Sequence, residues 1–288
     1  MKTFTVFLSG PFIPCSLTVE KRMSSCDNEG NRMAAQHLIN REVGFTDTVD
    51  GAWIMKGCAP SAGDRLRTPE DLLDLVMKIG FLPLFSNEIP GFSVEEHTLA
   101  DDWWMDDPAT DPWAWRQLLA SNAHVCYGKF FDKKAGFVSR EWFPDFANYR
   151  RDGYDYEGLY EDGKMKRRCK QIMDVFSPDE EGRAPEILSC DVKKRLPETK
   201  GFEGALTELQ MQSFLIMADF RQRTNKFGLP YGWHVAALAT PESKWGYDWV
   251  NGADRKPEAS WERLQAQLLR FFPDAEEAAV RKLLGIRR

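Results

Sequence analysis

The chain is most informative first in what it lacks. It carries no GxSxG, Walker, Rossmann or HExxH pattern, so no hydrolase elbow, nucleotide loop or zincin helix organises it. Its six cysteines (Cys15, Cys26, Cys58, Cys126, Cys169, Cys190) are scattered, with no CxxC and no Cys/His pair at metal spacing. That pattern gives no basis for a metal site or a cofactor, and it reads as reduced thiols in a cytoplasmic protein. The four histidines, His37, His97, His124 and His234, also lack ligand spacing. No apolar run approaches the roughly 20 residues that cross a bilayer, so no membrane partner is expected. The opening MKTFTVFLSGPFIPC is broken by Ser9, Gly10 and Pro11 and lacks a small-residue cleavage site, so it is not read as a signal peptide. A net charge of −6 over 288 residues excludes a basic coat that grips phosphates everywhere. Any nucleic-acid face must be local.

Lysine and arginine are also missing from the whole stretch between Ile79 and Trp115. That stretch holds eight carboxylates: Glu88, Glu95, Glu96, Asp101, Asp102, Asp106, Asp107 and Asp111. Four tryptophans (Trp103, Trp104, Trp113, Trp115) accompany them. The pattern reads as an acidic surface loop whose aromatic side chains anchor it to a core. Clustered carboxylates without a spacing motif identify no catalytic or cation site.

What is present divides the chain into four stretches. Residues 1–65 are weakly periodic and read as an extension, with a short helix at 31–40. Residues 66–161 open on Thr68-Pro69-Glu70, a helix start in which Thr68 caps and Leu72, Leu73, Val76 and Met77 form the buried stripe. The run Phe81 to Phe85 is interrupted by Pro83 and reads as a buried loop rather than a central strand. A helix over 112–121, a strand-like run over 124–131 and a helix capped by Ser139 follow, and Arg150-Arg151-Asp152-Gly153 ends that helix. Residues 241–288 read as a helical tail whose two helices are capped by Ser260 and Asp274.

Residues 162–240 carry the clearest pattern. A basic amphipathic helix over 164–176 and a short helix over 185–190 precede Lys200. Phe202, Ala205, Leu206, Leu209 and Met211 then follow helical spacing, and 214–220 reads as a strand. A basic turn bearing Arg221, Arg223, Lys226 and Gly228 leads to a returning strand over 231–239. Helices followed by a two-stranded wing are the order of a winged helix, so the predicted class is mainly α with small β-hairpins, an α+β fold. In such a module one helix enters the major groove and the wing touches phosphates. Lys200, Glu203, Thr207 and Gln210 are assigned to the exposed helix face, and Arg221, Arg223 and Lys226 to the wing. The nucleic-acid-binding candidates are therefore Lys200, Thr207, Gln210, Arg221, Arg223 and Lys226, and the expected partner is duplex DNA, intact or damaged. Residues 162–226 hold 13 Lys and Arg against 11 Asp and Glu, a mildly basic patch in an acidic chain. Nothing in the sequence sets an oligomeric state.

The segments TPEDLLDLVMKIGFLPLF, YGKFFDKKAGFVSREWFPDF, GLYEDGKMKRRCKQIMDVF and KGFEGALTELQMQSFLIMADF resemble AlkZ-related proteins of the wider YcaQ/AlkZ group. The resemblance covers residues 66–240, and ALTELQMQ is its most specific piece. It implies tandem winged-helix modules and, from the best-known members, excision of damaged bases from DNA. Those members carry a Gln–apolar–Gln or Gln–apolar–Asp motif that holds the attacking water. A polar pair suits cleavage of an N-glycosidic bond, because positive charge develops on the sugar. The matching position here is Leu82-Pro83-Leu84-Phe85, which puts Pro83 and Phe85 where the polar pair should stand. Neither can orient water. Gln210-Met211-Gln212 repeats the spelling elsewhere, but two helical residues two apart point about 200° apart and do not share one water. Glu88 is the nearest substitute carboxylate and the one catalytic candidate, which leaves an active glycosylase as an alternative to a DNA-binding protein. A protein-interaction module is a third reading.

Overall fold

A computed structural model describes residues 47–49 and 52–285. The helix expected at 31–40 lies outside the described residues. A small hairpin of β1 (Asp47–Val49) and β2 (Ala52–Ile54) comes first. Helix α1 (Pro69–Ile79) begins as its sequence dictates: the Thr68 hydroxyl accepts the Asp71 N–H at 3.1 Å, and the Asp71 carboxylate accepts the Thr68 N–H. This reciprocal cap satisfies two donors that the first turn would otherwise leave open. Gly80 ends the helix at φ 99°, against the Trp142 ring, where a side chain would collide.

Five further strands build one antiparallel sheet with β3 (Phe81–Pro83): β4 (Val125–Phe131), β5 (Lys134–Ser139), β6 (Ile187–Leu188), β7 (Ile216–Thr224) and β8 (Pro230–Ala239). Their order is β3-β5-β4-β7-β8-β6. The run around Pro83 is thus a short edge strand and not a loop. Phe81 pairs with Val138 and Pro83 with Gly136. An edge tolerates proline because only one side of the strand needs a donor. Of residues 185–190, expected as a helix, Ile187 and Leu188 instead supply β6, with Ile187 paired to Leu238, and the helix starts only at Ser189.

The helices are α2 (Pro112–Ala120), α3 (Phe143–Arg151), α4 (Tyr156–Glu161), α5 (Arg167–Asp174), α6 (Ser189–Arg195), α7 (Phe202–Met211), α8 (Pro241–Trp245), α9 (Tyr247–Val250), α10 (Pro257–Phe271) and α11 (Glu277–Leu284). Two apolar cores result. The first joins α1, β3 to β5, α2 and α3 to residues of the C-terminal helices, among them Val250, Leu264, Leu268, Val280 and Leu284. The second lies among α4, α5, α6 and α7, with Cys169, Ile172, Val192, Phe202 and Leu209 buried. Tyr127 of β4 pairs with Met217 of β7, and this pairing makes the sheet continuous across both cores. Met217 packs against both.

Three capping expectations fail, because two of the helices begin elsewhere and a tertiary contact claims Ser260. Ser139 lies at the end of β5, its hydroxyl is buried without a partner, and α3 starts four residues later. Ser260 sits inside α10, whose first residue is Pro257, and its hydroxyl donates to Asp145 at 2.7 Å. Asp274 precedes α11, whose N-cap position is Glu276. Asp145 is itself buried and also accepts Arg255 and Arg263 at 3.0 and 3.1 Å, which fastens α10 onto α3.

Arg150 and Arg151, which close α3 in sequence, are 3% exposed. The Arg150 guanidinium donates to the carbonyls of Phe130, Met211 and Leu284. Met211 and Leu284 are the last residues of α7 and α11, so this cation meets the open carbonyls and the negative dipole ends of two helices. Burial pushes its pKa down to about 9. Arg151 donates to Ser213 O at 2.6 Å and to Glu242 and Asn251, so it ties the end of α7 to the C-terminal segment.

Candidate nucleic-acid interface

The β7–β8 hairpin is built by its own turn residues. Asn225 accepts the N–H groups of Phe227 and Leu229 on its side-chain oxygen at 2.9 and 3.1 Å. Its backbone closes the loop: Asn225 N–H donates to Leu229 O, and Gly228 N–H donates to Asn225 O. Gly228 takes the left-handed conformation at φ 76° that this closure needs. With the backbone so occupied, the side chains point to solvent. Phe227 is 75% exposed, Leu229 60% and Tyr231 47%. Arg223 lies opposite Tyr231 in the ladder, with its guanidinium 5.1 Å from that ring. The Lys226 ammonium is 4.9 Å from the Phe227 ring. The hairpin therefore sets a ring beside each of two cations, a combination that suits phosphates beside bases or sugars.

The other residues singled out from sequence are placed less uniformly. Arg221 lies on β7 but is held by Asp219 at 2.9 Å and by Glu186, so its charge is already matched. Lys200 is exposed just before α7. Thr207 is half-buried on α7, beside the exposed Glu203 and half-buried Glu208, which pair with Lys193 and Lys166. Gln210 departs from the expected exposed face. It is 1% exposed, its carbonyl accepts the Lys129 N–H at 3.0 Å, and its amide donates to Leu206 O at 3.2 Å. That side chain joins α7 to β4 and has no face left for a base. The carboxylates on the outward surface of α7 are each matched by a lysine, so that face offers no free positive charge for a phosphate, and the exposed positive charge of this region lies on the hairpin and before α7.

The segment expected from the resemblance to stand at the polar pair, Leu82 to Phe85, is part of the core. Pro83 is in β3, and Phe85 is buried with its ring 5.5 Å from Trp103 and 6.3 Å from Trp113. Glu88 lies three residues on, in an ion pair with Lys282 whose hydrogen bond holds its carboxyl below the usual range. A carboxylate so held is a weak proton acceptor at neutral pH. Glu95 is the carboxylate nearest this segment in hydrogen-bond terms. It is fully buried, accepts the N–H groups of Ser86 at 2.9 Å and of Lys56, and its own N–H donates to Leu84 O. Burial pushes its pKa up to about 7. Both oxygens are committed to backbone donors, so Glu95 clamps the segment at 56 onto the loop after β3. Asp111 does similar work as N-cap of α2, accepting Trp113 and Trp104 N–H groups, with its pKa raised by burial to about 6. The acidic stretch is thus anchored by Trp103 and Trp115, which are buried, and by two carboxylates that hold backbone. Among the described residues no group of three or more His, Cys, Asp or Glu is placed to hold a metal ion. No helix among them is long and apolar enough to cross a membrane.

A family model described as AlkZ related matches residues 66–285. The chain belongs to the AlkZ-related family. The match runs beyond residue 240 and takes in the C-terminal helices that complete the first core. None of the curated proteins matches the chain in sequence. Among solved structures it is similar to the Streptomyces sahachiroi DNA glycosylase AlkZ, at 10% identity and a TM-score of 0.38. That alignment covers 76% of this chain and 59% of the other, so this AlkZ-related chain spans less than two thirds of that protein's length.

The sequence named Arg221, Arg223 and Lys226 and missed the exposed apolar side chains beside the last two. Part of the signal was legible: Phe227 and Leu229 are apolar in a turn where polar residues are the rule. It also missed Gln210, because a helix face can be assigned from periodicity only when the partner elements are known.

Proposed function

We propose that this AlkZ-related protein binds DNA through the β7–β8 hairpin and does not excise bases. The reading takes α5, α6, α7 and the hairpin as a winged helix, the second of two such modules, with the hairpin as its wing. One observation carries it: Arg223 and Lys226 stand beside exposed Phe227, Leu229 and Tyr231 on a loop whose backbone is closed on itself. Folding gains nothing from three exposed apolar side chains, and apolar side chains next to cations fit a groove in which phosphates flank bases.

The absence of excision rests on the loop after β3. Pro83 and Phe85 offer no donor or acceptor from their side chains, and the whole run from Phe81 to Phe85 is buried. Water cannot be oriented there. Glu88 and Glu95 do not replace the missing pair, since Lys282 holds one and backbone N–H groups occupy the other. A panel of duplexes with and without alkylated bases tests both halves together. The reading expects retarded complexes and no free base from any member of the panel. Base release that disappears in Glu88→Gln would establish the glycosylase alternative in its place.

A further inference from the structure

A second basic feature lies away from the hairpin loop, between the start of α5 and the loop before α7. Arg167, Arg168, Gln171, Pro197, Glu198 and Lys200 line a groove of about 590 Å³. Arg168 is fixed within it: its guanidinium pairs with Glu198 at 2.7 Å and donates to the Gln171 side chain at 3.0 Å. Arg167 and Lys200 have no carboxylate partner among the described residues. One carboxylate therefore faces three cations, and it is already spent on Arg168.

The position of the arginines sharpens this. Helix α5 opens on Lys166 without a side-chain cap, and its first turn contains no acidic residue. Arg167 stands there at the positive end of the helix dipole with no carboxylate partner among the described residues, a placement that an anion would relieve, while Arg168 is already paired with Glu198. Lys166 is turned aside to Glu208 at 2.6 Å and does not add to the crowding. The Arg167 guanidinium and the Lys200 ammonium line one groove beside the paired Arg168, and together they suit tetrahedral oxygens.

We propose that this groove seats a phosphate group and that, in the DNA complex, the group is a backbone phosphodiester. The second clause rests on the DNA-binding reading given above. The groove has room for a phosphate together with its flanking sugars. Pro197 shapes its wall, and pre-fixed Arg168 orients the group without further ordering.

Two titrations of the full chain decide the matter. In the first, inorganic phosphate is added while arginine side-chain Nε–H signals are followed by NMR. The signals of Arg167 and Arg168 are expected to shift, and the Arg168 shift to vanish in an Arg167→Ala/Lys200→Ala variant. In the second, duplex binding is measured against salt. Each of Arg167→Ala and Lys200→Ala is expected to lower the slope of log K against log salt by about one. Both residues are exposed, so circular dichroism should match the wild type. Duplex binding with an undiminished slope in both variants would overturn the phosphodiester assignment while leaving the hairpin reading intact. Phosphate-induced shifts in a protein that binds no duplex would sink the DNA reading and keep the groove as a seat for free phosphate. No shift together with no change in slope would overturn the proposal entirely.

Discussion

The side-chain carbonyl of Gln210 accepts the backbone N–H of Lys129 at 3.0 Å, across 81 residues of sequence. The contact joins the last turn of α7 to β4, close to the Tyr127–Met217 pairing that makes one sheet of two halves. Gln210→Ala leaves a buried donor unsatisfied and should cost about 1–3 kcal/mol in a urea melt. Duplex affinity of the folded variant should match the wild type. A variant of unchanged stability that loses DNA binding would return Gln210 to the reading surface.

Arg150 makes a second such joint with the carbonyls of Phe130, Met211 and Leu284. Arg150→Met leaves these oxygens without a donor and should destabilise by about 3 kcal/mol or more. Arg150→Lys keeps the charge but cannot reach three carbonyls with one ammonium, so it should recover only part of that loss. Equal stability of the lysine variant and wild type in a denaturant melt would show that charge alone matters.

Much of this was legible in sequence where the signal is local. Helix α7 runs from Phe202 to Met211, where five apolar residues mark helical spacing, and Thr68 caps α1. The larger misreadings are long-range. Ile187 and Leu188 become a strand only because β8 offers an edge. Arg150 and Arg151 look like a polar helix stop, and their burial depends on helix ends 60 or more residues away. The candidate site divides in the same way. Lys226 is an exposed hairpin cation and Arg223 a half-buried one, as the turn chemistry suggested in part, whereas nothing adjacent in sequence marks Glu186 as the carboxylate that occupies Arg221.

Glu95 gives the protein an unusual pH dependence. Its pKa of about 7 in the folded chain lies above the ordinary 4.5, so the folded state holds a proton that the unfolded state has released between those values. Stability should therefore fall as pH rises from about 4.5 to about 7, by ~3 kcal/mol at most from this group. Asp111, raised to about 6, acts in the same direction. Glu95→Gln should be less stable throughout, since its amide presents a donor to a backbone donor, and should show a smaller slope in that window. Denaturant midpoints at several pH values check this. An identical slope in wild type and variant would remove Glu95 from the account.

The exposed rings of the hairpin give a prediction separable from charge. Phe227→Ser/Leu229→Ser should leave thermal stability unchanged, because both side chains are already in solvent. Duplex affinity should drop by about tenfold, with the salt slope preserved because no ionic contact is lost. An affinity equal to the wild type would confine the hairpin's role to its cations.

The most direct test of the central claim is the salt-dependent binding of a fluorescently labelled duplex, followed by anisotropy, for the wild type and for Arg223→Ala/Lys226→Ala. The account predicts that the wild type binds and weakens steeply with salt, and that the double variant loses about two units of the log–log slope together with most of its low-salt affinity. Equal affinity and slope in the two proteins would contradict it.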